Sequence, residues 1–538
     1  MKCDEAKPSC DRCTSTGRQC DGYAPQITAK AAAAAVAAAA SVSRISVMGN
    51  ASGLSIHRPK HVLLCGSSGE GEGRAIQYFR EAAGPYLSGA TDPSFWTQLV
   101  LQFAGFEPAV KHSIVAISSL YEQVRQQTGS SPDTVRVWDN GMALKHYNAG
   151  IRELKALTAD GADSDDRQPL VLLVCILFIC IEVLQSNRDA AIAHCKHGIA
   201  ILQRTAPNYP WTKEFLLPIF RRLSLFPFFF GNTPSDFPEL VGPPPDGPAP
   251  ETFLTFSDAQ QKMDDIFSRT LSLVRKGDAY RFGSFRGLSP TAELLADQEN
   301  LNHALDQWQV RFANFTGDPS LPDTPATQHF QLGTDYLSTM SRCFLLTRYE
   351  VCRIYANLAL EPDEMGYDAY LEDFGRVFTH LLLLNETVPP QSKSPELMIG
   401  FIFEMGFMPM LFMVATKCRH LQMRLEALRS MRILGLPREN LWELDTVFAL
   451  GRRIIEMEHD VQVDGAGHLV VSPDSPASGT DVPPPDHKRI RHSWTDQELS
   501  TRSVRGKQVR GRKIGFIMQG EKGNVYVHTE FLVEKETA

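Results

Sequence analysis

The sequence has little of what an enzyme, a membrane protein or a general polyanion binder needs. Its 538 residues carry 54 basic and 62 acidic side chains, a net charge of −8, so any affinity for nucleic acid must come from a local patch. Neither a Gly-x-Ser-x-Gly nor a His-Glu-x2-His motif occurs, which favours a protein that is not an enzyme. The longest apolar run, residues 170–181, is too short for a bilayer and predicts a buried core helix.

Cysteine is concentrated at the start of the chain. Four of the eleven cysteines have the spacing Cys3-x6-Cys10-x2-Cys13-x6-Cys20. A Cys-x2-Cys pair flanked by two further cysteines is typical of a metal site, and zinc suits four thiolates because it is tetrahedral and redox-inert. Disulfide pairing is disfavoured because no secretory signal precedes these residues, and chance spacing is the other alternative. We therefore predict that these four cysteines bind zinc.

This segment resembles the second part of a fungal binuclear zinc-cluster DNA-binding domain, in which six cysteines share two zinc ions. Cys3 corresponds to the third cysteine of that family, and the other three correspond to the fourth, fifth and sixth. The connecting residues agree as well: Lys2-Cys3-Asp4-Glu5, Lys7-Pro8, Gly17-Arg18 and Tyr23. The resemblance implies a nuclear, zinc-dependent, sequence-specific regulator of RNA polymerase II transcription in a fungus.

The first Cys-x2-Cys pair and the basic reading segment of that family do not precede Cys3, since this chain begins at Met1. A complete binuclear cluster therefore cannot form in the chain as written, although four thiolates could hold a single zinc. Residues 1–23 carry four acidic side chains and four basic ones, namely Lys2, Lys7, Arg12 and Arg18. Because Lys and Arg contacts to phosphate supply most non-specific affinity, we expect these four residues to bind DNA weakly or not at all.

Three hypotheses follow from this pattern. The chain is a DNA-binding transcription factor whose start is misplaced, or a truncated regulator that acts through protein partners such as the transcription machinery. The third is a helical enzyme fused to a vestigial finger, for which no substrate is suggested. Residues 29–40 are almost pure alanine, and no heptad repeat occurs between residues 21 and 61, so dimerisation through a coiled coil is unsupported.

From residue 74 onward the apolar residues recur with helical periodicity. Two stripes predict helix faces: Val110, Ile114, Ile117 and Tyr121, and then Leu144, Tyr147, Ile151 and Leu154. Asn187 and Asp189 are candidates for the start of a further helix, which Pro207 and Pro210 should end.

This region resembles the regulatory helical domain that accompanies fungal zinc clusters. The matching residues are Phe95-Trp96, Tyr147-Asn148-x-Gly150 and Ala193-His194-x2-His197-Gly198. The resemblance implies an all-α body that holds effector ligands or partner proteins. We predict a mostly α fold with these domains: a partial zinc cluster (1–23), a low-complexity linker (24–73), an all-α regulatory domain (74–463), a second linker (464–487) and a basic tail with a β-hairpin (488–538).

Several local features carry narrower predictions. Residues 233–251 hold seven prolines and should separate two helical halves. Residues 401–414 are rich in Phe and Met, which favours core packing over an adaptable ligand pocket. His194, Cys195 and His197 suggest packing rather than metal binding, since position 195 leaves the helix face that 194 and 197 share. Asp264-Asp265 indicates solvated charge.

The tail differs in charge from the rest of the chain. Residues 488–513 carry nine basic side chains against Asp496 and Glu498, a net charge of +7. Such a segment suits nuclear import or phosphate contact, and a solvated surface strand or helix is the alternative. Residues 514–518 and 525–533, separated by Gly520-Glu-Lys-Gly-Asn524, predict the hairpin.

Overall fold

The structure is a computed structural model. The residues that it describes are 70–91, 93–127, 140–159, 164–205, 209, 211–225, 240, 252–317, 336–387, 400–470, 482–496, 500–504, 507–521 and 523–536. The proline-rich segment lies outside them except for Leu240, and so do residues 471–481 of the second linker.

The fold is mostly α, as predicted. The α-helices of the described residues, numbered α1 to α15, are Glu70–Tyr78, Gly84–Leu87, Val100–Ala104, Pro108–Gln127, Gly141–Ala159, Ser164–Leu184, Arg188–Thr205, Leu217–Leu223, Phe256–Arg281, Ala292–Thr316, Tyr336–Leu358, Leu371–Thr387, Met408–Lys417, Leu421–Leu434 and Leu444–His459. Single π-helical turns are Phe79–Ala83, Phe95–Leu99 and Thr212–Leu216, and 3₁₀ turns are Met365–Tyr370 and Asp486–Lys488.

Helices α1 to α8 surround one hydrophobic core, which we call the N-terminal lobe. Its central helix is α6, whose segment Arg167–Leu184 is long and apolar enough to cross a membrane but is 78% buried inside the protein. The prediction of a buried core helix is therefore confirmed. The stripe on α4 that begins at Val110 is buried, whereas Leu144, at the start of the stripe on α5, is 51% exposed.

Helices α9 to α15 surround a second core, which we call the C-terminal lobe. Helix α9 begins with a capping box, because the Thr255 hydroxyl accepts a hydrogen bond from the Asp258 amide and the Asp258 carboxylate accepts one from the Thr255 amide. Helix α10 ends at Gly317, whose φ of 66° is the left-handed conformation that glycine adopts without strain. Most residues of the N-terminal core precede the proline-rich segment and most residues of the C-terminal core follow it, with Phe401 and Phe403 as exceptions in the former and Ala90 and Leu225 in the latter.

The Phe- and Met-rich segment joins the two lobes. Phe401 and Phe403 are buried in the N-terminal core, whereas Met405 to Met413 contribute to the C-terminal core. The core prediction is thus confirmed, and one segment serves both cores. It also forms a small sheet, in which β1 (Phe401–Ile402) pairs in parallel with β2 (Arg438–Glu439), and β2 pairs antiparallel with β3 (Trp442–Glu443).

The chain continues into a four-stranded antiparallel sheet made of β4 (His492–Thr495), β5 (Ser500–Val504), β6 (Lys507–Gln519) and β7 (Val525–Glu536). Strands β6 and β7 form the predicted hairpin, with Gln519 opposite Val525. Strands β4 and β5 pair with successive parts of the other edge of β6. The sheet packs on α15, and Leu450 and Ile454 of this helix form a small third core with residues of the tail.

Candidate functional site

The residues predicted to bind zinc and DNA lie outside the described residues. They are Cys3, Cys10, Cys13 and Cys20 for the metal, and Lys2, Lys7, Arg12 and Arg18 for DNA. Cysteines within the described helices are free and buried, and burial raises the pKa of the Cys175 and Cys352 thiols to about 12. In the part of the chain that the structure describes, no group of three or more His, Cys, Asp or Glu side chains is arranged to hold a metal ion.

Two of the residues that resemble the fungal regulatory helical domain, Tyr147 and His194, belong to a polar cluster in the N-terminal lobe. The Tyr147 hydroxyl donates to Glu182 at 2.6 Å, and its oxygen lies 3.4 Å from Nε2 of His194. Asn187 donates to the second oxygen of Glu182 at 2.8 Å and also caps α7, as predicted. Cys195 is buried in the core on another side of α7. This cluster therefore fixes α5, α6 and α7 relative to one another.

The junction between the lobes is built from buried charges. Arg222 of α8 contacts Glu404 at two points, 2.6 and 2.8 Å, and also donates to Asp264 of α9 at 2.9 Å. Arg348 of α11 donates to the other oxygen of Asp264 at 2.5 Å. Burial alone would lower the pKa of Arg222, but the two carboxylates raise it.

Asp264 was predicted to be solvated, and that prediction was wrong. Its side chain is 1% exposed, and two guanidinium groups compensate its charge. Asp265, the next residue, is partly exposed and lies near Arg221 at 3.7 Å. Helical geometry explains the difference, because adjacent helix positions point about 100° apart and only one of the pair can face the junction.

A second charge cluster lies in the C-terminal lobe around Glu364. This carboxylate is fully buried and accepts hydrogen bonds from Arg281 at 2.6 Å and from Lys417 and Arg419 at 2.9 Å each. Burial would raise its pKa, but Lys417, Arg281 and Arg419 lower it to about 2. The charge of Glu364 therefore holds α9 and α13 together at neutral pH.

The charge cluster also anchors the start of the tail. Arg489 is fully buried: it contacts the Asp368 carboxylate at 2.7 and 2.9 Å and donates to the carbonyls of Pro484 and Glu364. The Ile490 amide donates to Glu458 at 2.6 Å. Lys417 donates to the Arg491 carbonyl at 2.8 Å.

These contacts correct both interpretations of the basic tail at its first residues. Arg489 and Arg491 are neither solvated nor free to contact phosphate, because both are buried and paired with Asp368 and Asp486. Further along the tail, Arg502, Arg510 and Lys513 are exposed. The acidic partner Asp486 is close in the sequence, but Asp368 lies 121 residues away and no local pattern indicates it.

Glu439 is a buried carboxylate of a different kind. Its Oε2 accepts hydrogen bonds from the amides of Gly406 and Met408, both at 3.0 Å, at the start of α13. A helix N-terminus favours a negative charge, yet burial raises the pKa of Glu439 to about 7 despite these backbone bonds. A Cβ at position 406 would lie 2.6 Å from the carboxylate, so any larger residue there would displace Glu439 from its hydrogen bonds.

Both charge clusters have a structural role. Together they connect the two lobes and the start of the tail, and we call the two clusters the charge junction. Arg222 pairs with acids of both lobes, and Glu364 and Glu458 pair with basic residues on neighbouring segments of the C-terminal lobe. Arg489 joins the start of the tail to this lobe through Asp368. Asp264 and Glu364 are each paired with two or more Arg or Lys side chains. Such carboxylates stay ionised, which fits a structural role better than a role in acid–base catalysis.

The sequence is similar to two curated fungal proteins. It is 26% identical over 337 residues to the "Aspercryptin biosynthesis cluster-specific transcription regulator atnN" of Emericella nidulans, which covers 59% of this chain and 52% of the relative. It is 26% identical over 211 residues to the "Transcription regulator lscL" of Purpureocillium lilacinum, which covers 38% of this chain and 46% of the relative.

The chain thus spans about half the length of the curated relatives it matches. No family model matches the sequence. No solved structure matches it either. The similarity is therefore to proteins named as fungal transcription regulators.

Proposed function

We propose that this protein is a fungal regulator of RNA polymerase II transcription that acts in the nucleus and is not an enzyme. The observation that carries the proposal is the similarity to two fungal proteins that are both named as transcription regulators. The cysteine spacing at the start of the chain supports it independently, since metal-ligand spacing with interleaved Lys, Asp and Pro is what the resemblance to a zinc cluster rests on.

In this proposal the N-terminal segment is the DNA-directed part. Cys3, Cys10, Cys13 and Cys20 would hold zinc, and four thiolates are a donor set that fits this metal chemically. Lys2, Lys7, Arg12 and Arg18 would contact phosphates. When bound, the zinc would supply folding energy to a segment that is too short to form a core of its own.

The helical body would be the regulatory part. A junction whose charges are buried and paired gives the two lobes and the tail a fixed relative position, which suits a body that presents a surface to protein partners or responds to an effector. The exposed basic residues Arg502, Arg510 and Lys513 lie on strands β5 and β6 of the tail and are available for partner contacts.

A regulator without DNA-binding activity of its own is the second candidate. The observation that favours it is the balance of four basic and four acidic residues in residues 1–23, which removes the net positive charge that phosphate binding requires. Such a protein would reach promoters through other proteins.

The first test is the zinc content of the purified full chain, measured by mass spectrometry of the metal. We expect zinc to be bound by the wild type and lost when Cys10 and Cys13 are both changed to serine. Cys65→Ser is the matched control because that cysteine lies outside the motif. Retention of zinc by the double variant would contradict the assignment of these ligands.

The second test separates the two candidates. In one experiment the chain is fused to an unrelated DNA-binding domain, and transcription of a reporter gene is measured. In the other, the unfused chain is mixed with a pool of random DNA sequences, and the sequences that it shifts in a gel are selected and identified. Reporter activity with selected DNA sites supports a DNA-binding regulator. Reporter activity without any selected site supports a partner-dependent regulator, and no effect in either experiment would contradict a role in transcription.

A further inference from the structure

A pocket of about 470 Å³ opens in the N-terminal lobe, away from the charge junction, where the ends of several helices meet. Phe103 lies at the end of α3, Glu107 precedes α4, Arg167 is in the first turns of α6, and Trp211 follows α7. This volume is in the range of small-molecule sites in proteins.

One wall of the pocket is aromatic. The rings of Phe103 and Trp211 are stacked, with centroids 5.7 Å apart and planes inclined by 29°. Phe106 packs on Phe103, with ring centroids 5.2 Å apart. The Phe106 side chain is 66% exposed, which is unusual for so large an apolar residue. Leu157, Pro169, Leu170 and Tyr209 also line the pocket. Such walls bind a flat or branched apolar group.

The same pocket holds one acid and one base. Arg167 is positioned by a hydrogen bond from Nη1 to the Leu157 carbonyl, 2.7 Å. Glu107 is about half buried, which raises its pKa, while the charge of Arg167 acts in the opposite direction. Among the described residues, neither of these two side chains has an ion-pair partner within 4.0 Å, and both line the pocket.

We propose that this pocket binds a small zwitterion with an apolar body, an α-amino acid with an aromatic or branched side chain. The ligand's carboxylate would contact Arg167, its ammonium group would contact Glu107, and its side chain would lie against Phe103 and Trp211. A ligand with both charges supplies an opposite charge to each half-buried group at once, whereas a simple acid or amine supplies one to only one of them.

This assignment extends the proposed function, because the ligand would be an effector of the regulator. Binding is measured on the purified full chain alone, so failure of the ligand assignment would leave the transcriptional role untouched, and the reverse also holds.

The experiment is calorimetric titration of the full chain with L-phenylalanine, L-tryptophan and L-leucine. Phenethylamine, which lacks the carboxylate, and 3-phenylpropionate, which lacks the amine, are the matched ligands. We expect at least one amino acid to bind at a single site with a Kd of about 1 mM or lower, and each one-charge analogue of phenylalanine to bind roughly tenfold more weakly than phenylalanine.

Two variants assign the contacts. With Glu107→Gln the advantage of phenylalanine over 3-phenylpropionate should disappear, and with Arg167→Gln its advantage over phenethylamine should disappear. Arg204→Gln, an exposed substitution on α7, is the control, and circular dichroism verifies that each variant is folded. Absence of binding by all three amino acids at about 10 mM, or binding that both pocket variants leave unchanged, would overturn the proposal.

Discussion

Arg222 and Glu404 lie 182 residues apart in the sequence and contact each other at two points, with Nε 2.6 Å from Oε2 and Nη2 2.8 Å from Oε1. Arg222 belongs to the last helix of the N-terminal lobe, whereas Glu404 lies in the segment that passes from one core into the other. Because Asp264 and Arg348 extend the same cluster, one buried set of charges fixes the position of the lobes.

Replacing Arg222 with methionine should destabilise the protein strongly. The change leaves Glu404 buried without its guanidinium and Asp264 with only Arg348, and breaking a buried pair in this way costs about 3–5 kcal/mol. Arg221→Met is the matched control, since Arg221 makes a single, longer ion pair of 3.7 Å with the partly exposed Asp265, and its loss should be the smaller of the two. Urea unfolding followed by circular dichroism measures both, and equal losses would contradict a special role for Arg222.

Arg489→Met should release the start of the tail from the C-terminal lobe. The change removes the contacts to Asp368 and to two backbone carbonyls from a fully buried site, so we expect a loss of about 3 kcal/mol. Lys488→Met is the control, because Lys488 is 40% exposed and its partner Asp460 is 71% exposed. Limited proteolysis is the second measurement: faster cleavage near residue 490 is expected for Arg489→Met only, and unchanged cleavage would show that other contacts hold the tail.

Helix periodicity was sufficient to predict the helical cores. Val110 and Ile117 are buried because residues three, four and seven positions apart share a helix face, and the run in α6 is buried because it is apolar on every side. The terminal hairpin could also be predicted from the sequence, since two runs rich in β-forming residues flank a turn that contains glycine. Leu144 is exposed although it fits the stripe, because periodicity alone does not show how far neighbouring elements cover a helix face.

The charge junction could not be predicted in this way. Asp264 and Arg489 resemble surface residues in the sequence, and their partners Arg348 and Asp368 are 84 and 121 residues away. Pairing at such distances depends on the tertiary arrangement of helices, which local patterns do not encode. The zinc ligands are the opposite case, because their spacing is local. Their assignment stays a prediction, since they lie outside the described residues.

Gly198→Ala should destabilise the N-terminal lobe even though alanine is the better helix former. A Cβ at this position of α7 would lie 2.4 Å from the Phe220 ring and 3.0 Å from the Cys175 sulfur, so the packed core must move, at a cost of about 1–3 kcal/mol. Gly141→Ala, at the first position of α5, is the control because no described residue has an atom within 4 Å of its added methyl group. Thermal unfolding should show a lower Tm for Gly198→Ala alone. A Tm equal to that of the wild type would mean that Phe220 has room to move.

Glu439 should make the stability of the protein depend on pH in the opposite direction from an ion-paired carboxylate. Burial raises the pKa of Glu439 from 4.5 to about 7 in the folded state. Between these pH values the folded chain keeps the proton and the unfolded chain has lost it, so the free energy of unfolding falls as the pH rises through this window. A shift of this size corresponds to about 3 kcal/mol, which should be fully present below pH 4.5 and lost above pH 7.

Glu439→Gln tests this directly, because glutamine keeps an oxygen that can accept the bonds from Gly406 and Met408 but does not titrate. Urea unfolding at a series of pH values between 4.5 and 8 should show the variant gaining stability relative to the wild type as the pH rises. Glu426→Gln is the control, since Glu426 is 49% exposed and its substitution should leave the pH profile unchanged. If Glu439→Gln has the same profile as the wild type, the carboxylate is ionised throughout, and the two backbone amides at the start of α13 suffice to hold its charge.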